Sequence, residues 1–247
     1  MSKFFVAILA LLILSLAIYS PNIVRLYKLA NLYNEKSIAK NFISIDQIFE
    51  TSSPIPASEK PYIFEKKEYA LPESYVFEGD ELNLLDGLDH FHTDGLIILH
   101  DGKMLFENYW NGNTKDSKHI AFSVSKSYLS ALFGIAVDEG LIDSIDDKVS
   151  KYLDDFDGTG YEDVKIKNLL QMSSGIEFNE DYADPNSDIN RFARATARGS
   201  SFRDFAKTLK NGKEQGTYNH YVSIDTQVLG MILESVTDMP LREYLYK

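Results

Sequence analysis

The chain opens on an apolar run, residues 4–19, broken only by Ser15 and preceded by Lys3 and the amino terminus. This is the pattern of a secretory hydrophobic region or of a short membrane anchor; a soluble core helix is the third reading. Pro21 follows at once, with no clear small-x-small cleavage site, and Arg25, Lys28, Lys36 and Lys40 weaken any positive-inside orientation. Residues 1–24 are therefore expected to be a signal peptide or membrane anchor, with the folded part exported to the periplasmic or extracellular side. Residues 25–75 read as an N-terminal extension and linker. Within them 26–38 is helical in spacing, and 51–61 carries Ser, Pro and Glu.

From residue 76 onward the patterning sharpens. Leu82, Leu85 and Leu88 are spaced for an amphipathic helix over 82–91. Residues 95–99 and 104–110 are β-rich and flank the turn His100-Asp101-Gly102-Lys103, which predicts a hairpin. Helical periodicity then takes over, at 124–139 with Gly140 as its stop, at 164–172, at 202–209 and at 224–237. Between the first two, 141–153 is an acidic connector. The stretch 154–162 reads as a solvated turn, because a calcium loop starting at Asp155 would place Ile166 at its twelfth position, where a glutamate is needed. A short β segment followed by a helical block makes the fold class α+β, with a partial antiparallel sheet (the hairpin), a helical subdomain and an N-terminal membrane helix.

Charge and composition narrow the partners. A net charge of −12 excludes the basic surface that nucleic acid requires. There is no cysteine, so disulfides and thiolate metal sites are absent, and His90, His92, His100, His119 and His220 show no metal-ligand spacing.

The candidate chemistry lies at the head of the 124–139 helix. Ser123 precedes Lys126 by three residues, one helical turn, so both side chains share a face. The helix behind them is apolar nearly all round, which predicts a central core helix whose first turn half-buries Lys126. Burial disfavours the ammonium, and a neutral amine beside Ser123 can take its proton without a histidine. The competing reading is an N-cap serine with a snorkelling lysine. Ser37 and Lys40 share the same spacing but sit in a polar stretch, as a solvated helix surface. Tyr221 and Ser223, just ahead of the 224–237 helix, are placed to face a cleft, and a phenol beside a lysine can serve as general base. His119 and His220 flank the two motifs and are the members available for a histidine-based triad.

Taken together, Phe122-Ser-Val-Ser-Lys-Ser127, the segment 164–175 ending in Ser173-Ser174-Gly175, and Tyr221-Val-Ser223 resemble the serine β-lactamase and penicillin-binding superfamily. The likeness is to its class C and esterase-like branch and runs from about Ile63 to the end, with residues 76–247 as the hydrolase domain. Glu180-Asp-Tyr182 resembles the 6-aminohexanoate-dimer hydrolase type. The resemblance implies a β-lactamase/transpeptidase-like fold and a serine hydrolase that passes through an acyl-enzyme, with no metal and no organic cofactor. Ser123 would be nucleophile, Lys126 its base and Tyr221 the proton shuttle; Ser223 and Tyr182 would bind a small amide, ester or peptide-like substrate. A membrane-anchored binding protein of the same fold without chemistry is the alternative. Two departures stand out: Ser223 replaces the asparagine of class C β-lactamases, and the family's Lys-Thr-Gly or His-x-Gly strand is not found before Lys247. The expectation is a C-terminally truncated chain, poorly stable and nearly inactive, because losing one oxyanion donor costs about 3 kcal/mol.

Overall fold

The computed structural model describes residues 24, 27, 28, 30–49, 51 and 53–247. The segment expected to be a signal or membrane helix, residues 1–24, lies outside the described residues apart from Val24. Among the described residues no helix is long and apolar enough to cross a membrane. The chain forms two compact units, Met1–Ile120 and Ala121–Lys247.

The first unit carries α1 (Ile38–Phe42), β1 (Glu65–Lys66), β2 (Ser74–Phe77), β3 (Asp80–Asn83), α2 (Leu84–His90), β4 (Gly95–His100) and β5 (Lys103–Tyr109). The predicted hairpin is β4–β5, paired antiparallel from Gly95 opposite Tyr109 to His100 opposite Lys103, with an irregularity between Ile98 and Leu99. Its turn takes positive φ at Asp101 and Gly102, the geometry whose twist matches the flanking strands. A second antiparallel hairpin, β2–β3, closes the same way through Glu78 and Gly79. The sheet departs from a purely antiparallel one, because β1 pairs with β5 in parallel. The helix expected over 82–91 begins two residues later: Leu82 belongs to β3, and the Asn83 side chain caps α2 by accepting from the Asp86 N–H. In the stretch 26–38, the described residues 27, 28 and 30 are helical, 31–33 and 35–37 are turn, and residue 38 opens α1.

The second unit is helical: α3 (Ser125–Asp138), α4 (Ile166–Leu170), α5 (Asp188–Ala197), α6 (Phe202–Lys207), α7 (Ser223–Thr237) and α8 (Leu241–Tyr246). Its core runs from Leu132 to Tyr244 and is organised around α7, which buries Ile224, Val228, Leu229, Ile232 and Leu233 and packs against α3, α4, α6 and α8. The sequence pattern had pointed to α3 as the all-round buried helix. Instead α3 buries Leu132, Phe133 and Ala136 on one face and leaves Tyr128 and Ile135 exposed. Apolar content alone marks a helix as coverable; which helix is surrounded depends on the neighbours that reach it. The stretch 154–162 is likewise more than a solvated turn, since Phe156 and Tyr161 are both fully buried. Their rings meet edge to face, and the Tyr161 hydroxyl reaches Asp225 on α7. The helix predicted over 164–172 is confined to α4, and α5 and α8 were not anticipated, although Ser187 caps α5 through the Asn190 N–H.

Backbone contacts between two loops fix the region ahead of α7. Met172 and Gly175 take positive φ. The Gly212 and Lys213 N–H groups donate to the Gly175 carbonyl, Gly216 N–H to Ser173, and His220 N–H to Met172. A Cβ on Gly175 would lie 2.2 Å from the Lys213 carbonyl oxygen, so this crossing requires glycine for space as well as for φ.

Asp225, in the first turn of α7, is wholly buried. Tyr161 donates to its Oδ1 at 2.9 Å, whereas Oδ2 has no hydrogen-bond partner in good geometry. Burial pushes the carboxyl up to about 7, opposed by the hydroxyls of Ser174 and Tyr161 and aided by the charge of Glu180.

Two outcomes follow from this core. Gly175→Ala should lower stability by more than about 1 kcal/mol in urea unfolding; an unchanged midpoint would remove the steric claim. For Asp225 the folded state holds its proton up to about pH 7, while the unfolded chain releases it near pH 4. Its contribution to stability is thus complete at low pH, declines as pH rises through that window, and levels off above it. Asp225→Asn should flatten this decline and be the more stable form at pH 8, and parallel profiles for the two proteins would contradict the assignment.

Candidate active site

Ser123 lies in a single 3-10 turn, Phe122–Val124, that runs directly into α3. The turn starts with Phe122 at φ 42°, a left-handed conformation that costs energy for a bulky side chain and is typical of sites where geometry is held by the surroundings. The Ser125 hydroxyl donates back to the Phe122 carbonyl at 2.7 Å and steadies the turn. Ser123 thereby stands at the N-terminus of a 14-residue helix, where peptide dipoles favour developing negative charge.

Two side chains converge on the Ser123 Oγ. Lys126 Nζ is 3.0 Å away, from one turn further along α3. The Tyr221 hydroxyl is 2.9 Å away, delivered across 98 residues by the loop ahead of α7. The Lys126 Nζ also sits 5.4 Å from the centre of the Tyr221 ring, so the three groups form a closed triangle. Lys126 is half-buried, while Ser123 and Tyr221 are open to solvent, which leaves the oxygen reachable by a substrate. The contrast with Ser37 is direct: its Oγ bonds the Asn34 carbonyl and the Asn41 amide, and Lys40 is exposed.

Ser223 and Tyr182, expected to contact substrate, are brought together by a residue whose role sequence reasoning missed. The Glu180 carboxylate accepts from the Ser223 hydroxyl at 2.6 Å, from the Ser223 N–H at 3.2 Å and from the Tyr182 hydroxyl at 3.1 Å. In the sequence Glu180 stands out only as part of a family-like tripeptide. Its pairing with position 223 spans 43 residues and leaves no periodic trace in the chain. Burial, then the adjacent Glu180 charge, pushes the Tyr182 phenol up, so it remains a donor. The loop carrying both is held by Asn190 of α5, whose amide donates to the carbonyls of Tyr182 and Asp184.

The histidines are engaged elsewhere. His220 Nε2 lies 2.7 Å from the Phe178 carbonyl. His119, in the first unit, bonds Asp94 at 3.1 Å and the Ile120 carbonyl at 2.9 Å, and lines an open cavity of about 650 Å³ that holds none of Ser123, Lys126 or Tyr221. Among the described residues no group of His, Asp and Glu is arranged to hold a metal ion.

Comparison with known proteins gives the family and the fold. Residues 83–247 match the family model described as Beta-lactamase. A 6-aminohexanoate-dimer hydrolase of Paenarthrobacter ureafaciens is 31% identical over 192 residues, covering 73% of this chain and 48% of that protein. An Escherichia coli K12 protein named "Putative D-alanyl-D-alanine carboxypeptidase" is 24% identical over 228 residues, covering 80% of this chain and 50% of the other. The chain thus spans about half the length of the curated relatives it matches. Among solved structures, one named "Putative 6-aminohexanoate-dimer hydrolase from Bacillus anthracis" superposes with a TM-score of 0.78 at 17% identity, over 87% of this chain and 59% of that one, which shows the fold. By the family model that matches most of its length, the chain belongs to the beta-lactamase family.

Proposed function

We propose that the protein hydrolyses a small amide, ester or peptide-like substrate through an acyl-enzyme on Ser123. The observation that carries this reading is the convergence of an amine and a phenol on one hydroxyl oxygen, at 3.0 and 2.9 Å, at a helix N-terminus. Contacts of that length pass a proton in either direction. As Ser123 Oγ attacks the carbonyl carbon, its proton moves to whichever member of the pair is in its basic form, the free amine of Lys126 or the phenolate of Tyr221. The tetrahedral adduct collapses when the same pair returns the proton to the leaving nitrogen or oxygen, and an ester on Ser123 remains. Water then attacks this ester, loses a proton to the pair, and Ser123 recovers its own. The helix dipole at the head of α3 and the Ser123 N–H favour the developing oxyanion.

The substrate class draws support from two directions. One relative is named "6-aminohexanoate-dimer hydrolase" and another "Putative D-alanyl-D-alanine carboxypeptidase". Ser223 in place of an amide side chain argues for a substrate other than a β-lactam. The apolar residues 4–19 support a location outside the cytoplasm, with a membrane anchor or a cleaved signal.

A fluorophosphonate probe should label the protein and leave Ser123→Ala unlabelled; absence of labelling of the intact protein would favour a binding module of the same fold. Lys126→Ala should slow labelling by at least ~100-fold, the usual loss when a general base is removed. His119→Gln and His220→Gln should each stay within a few-fold of the parent rate. A large loss in either histidine variant would shift the base assignment away from the lysine.

A further inference from the structure

Glu180 is the charged group of this site that the acyl-transfer steps leave unused. Its Oε1 accepts from the Ser223 hydroxyl and the Tyr182 phenol, and its Oε2 from the Ser223 N–H. The last contact satisfies one of the free N–H groups that open α7, a helix of 15 residues whose Val222 cap supplies no side-chain bond. None of the ion pairs among the described residues includes Glu180, so its charge is not cancelled by a lysine or arginine partner. The polarity of the two hydroxyls is set as a result. A hydroxyl has one proton and two lone pairs. With both protons drawn to Glu180, Ser223 Oγ and Tyr182 Oη have only lone pairs left to offer. An asparagine at position 223 would bring N–H donors to the same place; a serine tied to Glu180 brings none. Tyr182 is 67% exposed and Ser223 half-buried; Ser223 follows Tyr221 by two residues and the Tyr221 phenol is among the groups acting on Tyr182, so both lie near the side chain that meets Ser123.

We propose that Glu180, Ser223 and Tyr182 form an acceptor wall that selects substrates carrying an ammonium group, or at least an N–H donor, beside the scissile carbonyl. The proposal rests on the hydrolase reading above and adds the substrate's charge and hydrogen-bonding sense. An ammonium supplies both a positive charge for the Glu180 carboxylate and hydrogens for the waiting lone pairs. A neutral alkyl group of the same size instead strips water from three acceptor oxygens without replacing it, and a polar site rejects a substrate that leaves its groups unpaired.

Matched nitrophenyl esters test this on the full chain, with nitrophenolate release as the readout of Ser123 acylation. One carries a γ-(dimethylammonio)butanoyl group, the second its uncharged carbon isostere, and the third the trimethylammonio analogue, which keeps the charge but has no N–H. A second series places the same groups on the leaving alcohol of an unactivated ester. The dimethylammonio compound should be favoured over its isostere by roughly tenfold or more in kcat/KM in at least one series, with the trimethylammonio compound between them. The preference should shrink as salt is raised and collapse toward unity in Glu180→Gln. A ratio at or below one in both series overturns the proposal, as does a preference unaffected by salt and by Glu180→Gln. The salt series uses the unaltered protein, so the test survives a variant that fails to fold. If fluorophosphonate labels Ser123 and the ratio is still unity, only the acceptor wall fails. If neither esters nor probe react, the hydrolase reading fails and the proposal with it.

Discussion

The structure of the second unit depends on the burial of one helix, α7. Ile224, Val228, Leu229, Ile232 and Leu233 are removed almost completely from water. At roughly 1.5–3 kcal/mol for each fully buried large aliphatic side chain, this is the main force holding α3, α4, α6 and α8 in place around it. Because α7 cannot rotate or slide without exposing that face, its N-terminal end is fixed in space. Tyr221 lies two residues before it, and α3, which packs on α7, carries Ser123 and Lys126. The triangle of Ser123, Lys126 and Tyr221 is therefore a by-product of core packing, built at two helix N-termini that the same hydrophobic contacts immobilise.

The polar groups at the start of α7 divide into two kinds. Asp225 faces inward, away from solvent, with one oxygen satisfied by Tyr161 and the other unpaired. A buried carboxyl in that state is cheaper to keep protonated than charged, which is why burial raises it to about 7. Glu180 faces the site, holds two protein hydroxyls, and meets the helix end as an external cap. The charge of Glu180 adds to burial in disfavouring the charged form of Asp225.

Several local features were readable along the chain. The Asp101-Gly102 turn specified the β4–β5 hairpin, because two consecutive positive φ values suit only a few residue types. The three-residue spacing of Ser123 and Lys126 specified their shared face, because a helical turn is nearly that long. The order and spacing of the motifs pointed to the β-lactamase family, which the family match shows. Legibility failed where the deciding contact was remote. Phe156 and Tyr161 sit in an acidic stretch that looks solvated, yet they are anchored by the ring-on-ring contact and by Asp225. Leu82 continues the spacing of α2, but strand pairing with Tyr75 claims it first. Glu180 left no trace because the partner that ties it to the start of α7, Ser223, lies 43 residues away.

By itself, then, the amino-acid sequence determined what is governed by neighbours within a turn or a hairpin: helix phase, turn type, and the adjacency of Ser123 and Lys126. The tertiary structure alone decided which apolar helix is surrounded, that the Tyr221 phenol lands 2.9 Å from Ser123, and that Glu180 claims the protons of Ser223 and Tyr182. Backbone stereochemistry acts over a few residues and is written in order along the chain. Burial and hydrogen-bond satisfaction act between any surfaces that meet, and which surfaces meet is settled only when the whole unit is packed.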